Sequence, residues 1–284
     1  VPASSANLGA GFDVLALALD EWLFLGVGPP PPDSRPVDDH HPAVRAFVAA
    51  RGGVARTNDA EPIWLRSTIP MGRGLGFSGA ARVAGAALAV AVHAARAGAE
   101  ITDELAARRS EVLGVAAALE GHGDNAAAST FGGVVAWVDG RALPVRLGPR
   151  LRAATVVAWV PDTVTSTDRS RSRLPAHVER RDVVHNLGRV AQFVLAVEHD
   201  DPALLAGATA DRLHQPERLA AVAGAAEALD AGVRSGAWCG WLSGSGPTVA
   251  LLCDTAEADA VAASLPDVGH VKRLRIAGDG VQLV

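Results

Sequence analysis

The stretch Ile69-Pro70-Met71-Gly72-Arg73-Gly74-Leu75-Gly76-Phe77-Ser78-Gly79-Ala80-Ala81 constrains this chain more than any other. It links a strand-like segment, residues 62–69, to an Ala-rich run with helical composition, residues 78–96. Glycines let a backbone turn sharply and approach a ligand, and a helix start presents unpaired N–H groups. Together they make an anion site suited to a phosphate. A plain strand-to-helix turn needs one or two glycines rather than four. Gly74, Gly76 and Gly79 also satisfy the dinucleotide pattern G-x-G-x-x-G. Dinucleotide folds place that loop after their first strand, whereas here it lies about seventy residues in, with Pro70 at its mouth. Phosphate binding is the better reading.

Two other glycine-rich loops flank it at a distance. Trp241-Leu242-Ser243-Gly244-Ser245-Gly246-Pro247-Thr248 precedes an apolar strand and by itself reads as a tight turn. Ser4-Ser5-Ala6-Asn7-Leu8-Gly9-Ala10-Gly11-Phe12-Asp13 is the third, and a flexible arm would not explain the apolar pattern that begins at Phe12.

Composition removes several function classes. The chain has 284 residues, 49% hydrophobic and 20% charged, which is enough apolar material for a sizeable core. A net charge of −5 argues against nucleic acid as the main partner. The longest apolar stretch holds thirteen residues between Arg82 and Arg96. A membrane span needs roughly 20, so this is expected to be a buried helix. No charged n-region with an apolar h-region opens the sequence, so no signal peptide is expected. Cys239 and Cys253 have no metal-ligand spacing and cannot form a disulfide scaffold. The expectation is a cytosolic protein. Lys272 is the only lysine. No glycine loop is followed by a lysine and no upstream strand carries one, which excludes a Walker A NTPase and a protein kinase.

Regular elements are expected as helices over 42–51, 78–96, 102–119, 182–198, 202–211 and 216–231, with Thr102 capping the second long one. Strands are expected over 62–69, 133–138, 153–160 and 248–253, and the proline-rich stretch 28–36 as loop. Helices and strands mix without a βαβ period, so the fold class is α+β. A composition shift at 148–152 divides the chain into 1–150 and 151–284.

The three loops, in this order, resemble the signature motifs of the GHMP kinases, the middle one their phosphate loop from Pro70 to Ala80. Val1 to Asp13, Glu120-Gly121-His122-Gly123-Asp124-Asn125, Ser166-Thr167 through Arg171 to Leu174-Pro175, and Leu213-His214-Gln215-Pro216-Glu217-Arg218 resemble stretches specific to the homoserine kinases. The resemblance implies a ribosomal-S5-like N-terminal domain, a ferredoxin-like C-terminal domain, and ATP and substrate meeting between them. It implies magnesium and phosphorylation of L-homoserine on its side-chain hydroxyl, in threonine biosynthesis. A homodimer is the common state that it implies.

The same resemblance implies the site. Residues 70–80 would wrap the triphosphate. Ser78 and Glu120 would hold the metal, with Glu111 as the competing acid. A carboxylate and a hydroxyl beside phosphate oxygens suit a hard cation. Asn125 and His122 would assist direct attack without an aspartate base. Arg171 and Arg218 would grip the substrate carboxylate in forked fashion. Asp13 would receive its ammonium, with Asn7 and Gly244 beside it. Taken without the motifs, Glu120 reads as an exposed helix-end acid, His122 as a buried structural histidine, and Arg171 as part of a solvated run with Arg169 and Arg173. Asp38-Asp39-His40-His41 reads as a polar loop rather than a metal site.

Departures from the family pattern are Phe77 for serine, Gly79 for alanine, Gly123 for proline and Glu217 for tyrosine. The sequence opens directly at the first motif, where the family has a preceding strand, and residues 22–41 are short relative to the family, so either a strand ahead of Val1 is missing here or the N-terminal sheet is reduced. Two alternatives stay open: a GHMP kinase for another small alcohol, and a non-catalytic ligand-binding relative.

Overall fold

The apolar pattern after Phe12 becomes the spine of the first sheet. The computed structural model describes residues 1–53 and 62–284. The strands of this sheet are β1 (Pro2–Ala6), β2 (Leu15–Val27), β3 (Arg35–Pro36), β4 (Ile63–Ser67), β5 (Val134–Val138) and β6 (Arg141–Val145). Their order is β3-β4-β2-β5-β6, with β1 also on β2. β2 runs for 13 residues, long enough to pair Leu17 with Ser5 and Val134, then Leu25 with Leu65. The helices of this half are α1 (Pro42–Ala50), α2 (Phe77–Ala97), α3 (Ile101–Ala107), α4 (Arg109–Glu120) and α5 (Asp124–Phe131).

Beyond α6 (Pro149–Arg152) come α7 (Thr167–Arg171), α8 (Arg180–Glu198), α9 (Gln215–Ala220), α10 (Ala225–Arg234) and α11 (Ala258–Ala263). The strands are β7 (Thr155–Val160), β8 (Cys239–Leu242), β9 (Val249–Cys253) and β10 (His270–Arg275). Their order, β10-β7-β9-β8, is the ferredoxin-like 4-1-3-2 arrangement, antiparallel throughout. The α+β class holds.

The main core crosses from one sheet to the other. Ala18, Leu19 and Leu23 of β2 belong to the same apolar cluster as Leu151, Val156, Phe193 and Ile276. A bridge joins Leu19 to Ile276, and the Lys272 ammonium is paired with Glu21. Cys239 and Cys253 are buried and unbridged, and burial pushes their thiols up to about 12 and about 11.

Several expectations need correction. The apolar helix is longer than its charge-free stretch, 21 residues, and by length and composition alone it is apolar enough to cross a membrane. It packs against α1, α4, α5 and β2 instead, and most of it is buried. Residues 102–119 form two helices that part at Arg108 (φ −106°, ψ 15°), where no Gly or Pro warns of a break. Thr102 does not cap α3, whose start at Glu100 lacks a side-chain cap. The 202–211 helix shrinks to a 3₁₀ turn, Pro202–Leu205, before Gly207 takes a left-handed φ. The 216–231 helix divides at left-handed Gly224 into α9 and α10. Within the proline-rich stretch, Arg35 and Pro36 pair with Leu65 and Trp64 at the sheet edge, where a proline costs no ladder bond. Among the described residues the first sheet carries six strands.

Candidate active site

Folding stitches the three glycine loops together. Gly74 and Gly76 have φ of 79° and 70°, the left-handed region that glycine enters freely. A Cβ on Gly74 would lie 2.4 Å from the Ser243 carbonyl oxygen, and one on Gly76 2.0 Å from the Ser4 hydroxyl. The first and third loops therefore press against the middle one at backbone distance. The Ser243 hydroxyl donates to the Gly74 carbonyl (2.6 Å) and lies 2.7 Å from the Ser5 hydroxyl, which accepts from the Trp241 indole (2.9 Å). Asn7 donates to the Gly244 carbonyl (2.8 Å), and the Gly244 N–H donates back to Ala6.

A cavity of about 280 Å³ opens where they meet. Of the expected phosphate-loop residues, Pro70, Met71, Gly72, Gly74, Gly76, Phe77 and Ser78 line it. Arg73, Leu75, Gly79 and Ala80 do not. The Arg73 guanidinium turns away to the Pro161 carbonyl, while Leu75 and Ala80 are core residues. Gly79 sits under the wall, where a Cβ would come within 3.2 Å of Glu120 Oε2. Phe77 is 8% exposed with its ring edge-on to His41 at 6.1 Å, so it packs as part of the wall. His41 itself caps α1, and Asp38 caps the His40 and His41 N–H groups, so the Asp-His stretch is a capping loop.

Glu120 and Ser78 face the loop end of the cavity. Arg82, one helical turn past Ser78, donates to the Ser78 hydroxyl and lies 3.5 Å from Glu120 Oε1. Glu120 Oε2 is buried without a partner. Burial lifts the Glu120 carboxyl above the usual range, against the pull of Arg82 and His122. An orphaned carboxylate oxygen beside a hydroxyl is the donor set a hard divalent cation takes, so the residues present fit magnesium. Glu111 points outward, 48% exposed and forked by Arg108.

On the adjoining wall Asn125 accepts from the Ser4 hydroxyl (3.0 Å). His122 Nδ1 donates to the buried Asp124 (2.6 Å). Burial opposes charge on His122, but the bond to Asp124 and the charges of Asp124 and Glu120 outweigh it and raise its pKa. Asp13, His122 and Asp124 each bring a ligand atom to within 4.8 Å of the others. Asp13 is taken up by Arg171, and His122 Nδ1 and Asp124 Oδ1 are bound to each other.

At the far end Arg171 forks onto Asp13 at 2.8 and 2.6 Å, so the pair expected to split between carboxylate and ammonium is joined. Arg218 is 4% exposed and has no ion pair among the described residues. Its Nη1 reaches His214 Nδ1 (3.2 Å) and the Gly244 carbonyl (3.3 Å), and Nε has no partner. Burial and the neighbouring Arg171 pull its pKa down to about 10. Both guanidinium groups lie over the Phe12 ring, at 5.4 and 5.2 Å. His214 Nε2 donates to the Gly9 carbonyl (2.8 Å), leaving Nδ1 to accept from Arg218. Burial resists ionisation of Asp211, but His214 and the N–H groups of Gln215 and His214 pull its pKa down, and it anchors the start of α9. Sequence reasoning missed Arg82, Asp124, Phe12, His214 and Asp211. Arg82 alone had a readable signal, its i+4 spacing from Ser78.

The sequence models of the GHMP kinases N terminal domain and the GHMP kinases C terminal domain match residues 41–133 and 193–271. The chain is 36% identical over 271 residues to a homoserine kinase of Thermus thermophilus, spanning 90% of this chain and 87% of that one. It is 38% identical over 301 residues to a homoserine kinase of Corynebacterium efficiens, spanning 98% and 92%. A solved putative homoserine kinase from Listeria monocytogenes superposes with a TM-score of 0.76 at 26% identity, covering 99% of this chain and 96% of that one. A homoserine kinase from Cytophaga hutchinsonii, 22% identical, shares the fold with a TM-score of 0.77, over 98% and 94%. Three interlocked loops, a cleft between a six-stranded and a ferredoxin-like sheet, and identity along nearly the whole length converge: this chain belongs to the GHMP kinase family.

Proposed function

We propose that the protein transfers the γ-phosphoryl group of ATP to the side-chain hydroxyl of L-homoserine, forming O-phospho-L-homoserine for threonine biosynthesis. One observation carries the reading: a phosphate loop and a pocket charged for a zwitterion share a single cavity, in a chain similar along its length to homoserine kinases. A soluble cytosolic enzyme fits these relatives.

Backbone N–H groups of the loop residues that line the cavity, Met71, Gly72, Gly74, Gly76, Phe77 and Ser78, cradle the triphosphate. Ser78 and Glu120 hold the magnesium ion, which when bound neutralises phosphate charge. The substrate carboxylate lies on Arg218 and the outer edge of Arg171. Its ammonium takes the lone pairs of Asp13 that Arg171 leaves free, since a carboxylate offers about four and the fork uses two. Asn7, held by Gly244, and His214 fix the guanidinium end of the pocket.

The hydroxyl then lies near Asn125 and His122. Asp124 holds the Nδ1–H of His122 and raises its pKa, which favours the imidazolium form whose Nε2–H is a donor. It stabilises developing charge on the phosphoryl oxygens. Asn125 orients the hydroxyl with the amide that Ser4 leaves unused. Arg171 occupies both Asp13 oxygens, and His122 occupies Asp124 Oδ1. Positioning and charge carry the reaction.

A substrate panel read by ADP release tests this. L-homoserine should exceed mevalonate, galactose and shikimate. Equal activity on an alcohol without an amino group would overturn the substrate, and nucleotide binding without any turnover would favour a non-catalytic relative.

A further inference from the structure

Helix α7 has a second face, turned away from the cleft. It closes a cavity of about 220 Å³ that the kinase reading leaves unused. Arg169 and Arg173, four residues apart, both line it, and neither guanidinium has a partner among the described residues. Thr165, Arg218 and Ser245 line both this cavity and the cleft, and of these Arg218 is more than nine-tenths buried and has an unpartnered Nε. Ser170 and Ser245 add hydroxyl groups. No carboxylate lines the cavity, although the chain as a whole carries a net charge of −5.

Arg169 and Arg173 are exposed and Arg218 is buried, so an anion here would gather two solvent-facing guanidinium groups and neutralise a buried one that has no ion pair among the described residues. A carboxylate would balance one of the three charges. A phosphate dianion balances two, and its oxygens suit the forked donors. The space also exceeds that of a single tetrahedral ion, leaving room for a short carbon chain.

We propose that this cavity is a subsite for a phosphate dianion, either inorganic phosphate or a short phosphate monoester. The second source rests on the kinase reading, because the phosphorylated product is such an ester. An occupant draws on Arg218 and so competes with the substrate carboxylate across the shared wall. The Thr165 N–H donates to the Gly72 carbonyl (3.0 Å), tying the same wall to the phosphate loop.

The test titrates inorganic phosphate, followed by calorimetry, into the whole protein with its loop filled by saturating MgADP. Wild type should bind phosphate, and the double variant Arg169→Ala/Arg173→Ala should bind it about tenfold more weakly or worse. Arg173→Glu, which reverses one charge, should abolish binding. Phosphate should raise the homoserine KM of wild type but not of the double variant, whose turnover without phosphate stays unchanged. A parallel titration with O-phospho-L-homoserine separates the sources, the tighter binder being the occupant. No phosphate binding, or equal binding in wild type and double variant, overturns the subsite. Because the calorimetry needs no turnover, a failed homoserine assay would overturn the kinase reading and leave this result standing.

Discussion

The two halves of the cleft manage charge by different means. At the loop half, Gly72 to Ser78, the wall is largely glycine backbone, whose N–H groups are the proposed anion donors, and the loop's own arginine, Arg73, turns away. At the other half positive charge comes from side chains: Arg171, one-third exposed and forked onto Asp13, and the buried Arg218 held by His214 and Gly244. A site made of backbone depends on shape, and the clearances of Gly74 and Gly76 show how little shape can change. A site made of side chains depends on balanced charge, and the ones that matter come from residues far apart in sequence. The halves should fail differently when altered.

The largest effect is expected at their junction. Glu120→Gln should lower kcat by about two orders of magnitude or more, if this carboxylate stabilises charge as the phosphoryl group moves. The same change should raise thermal stability, because burial disfavours the charged form that Glu120 must adopt. Glu111→Ala should be nearly silent in both. Inactivity at Glu111 with activity at Glu120 would move the acidic centre to the other helix face.

Arg218→Ala probes the charge-built half. It should cost about 2 kcal/mol or more in kcat/KM for homoserine, with ATP affinity unchanged. Arg218→Lys should recover only part, since an ammonium lacks the planar fork. A loss of ATP affinity instead would erase the division between the halves. Gly76→Ala probes the shape-built half. The left-handed φ costs roughly 1–2 kcal/mol for any other residue, before the clash with Ser4 is counted. Thermal denaturation should show that loss, and the KM for ATP should rise more than that for homoserine.

The smallest effect concerns His122. Its folded-state pKa lies above the ordinary 6.5, so its stabilisation is complete below that value and fades as pH rises through the folded pKa. Denaturation across the window just above pH 6.5 should show stability falling in wild type, and His122→Gln should flatten that slope. An unchanged slope would mean Asp124 does not hold the proton there.

The same contrast explains what could be read from sequence. The phosphate loop is consecutive, so its glycines, its strand and its helix were legible together. The charge-built half was legible only as residue types within motifs. The His214 tautomer depends on Gly9, and the place of Arg218 over Phe12 depends on a contact about two hundred residues away in sequence, which no local pattern encodes. Helix boundaries went astray for another reason. Gly207 and Gly224 marked two breaks that apolar periodicity overrode, whereas the break at Arg108 carries no residue signal at all.

Lys272 joins β10 to β2 through Glu21, and it is the only lysine in these 284 residues. Any process that addresses a lysine side chain, whether acylation, ubiquitin conjugation or coupling to an amine-reactive dye, has one address here. That address is three-quarters buried and closed by an ion pair with a carboxylate that is itself 6% exposed. The other permanently cationic side chains are arginines, which keep their charge at any physiological pH and offer no primary amine. These 284 residues thus offer almost nothing to lysine chemistry, and attaching a group at Lys272 would break the ion pair that joins β10 to β2.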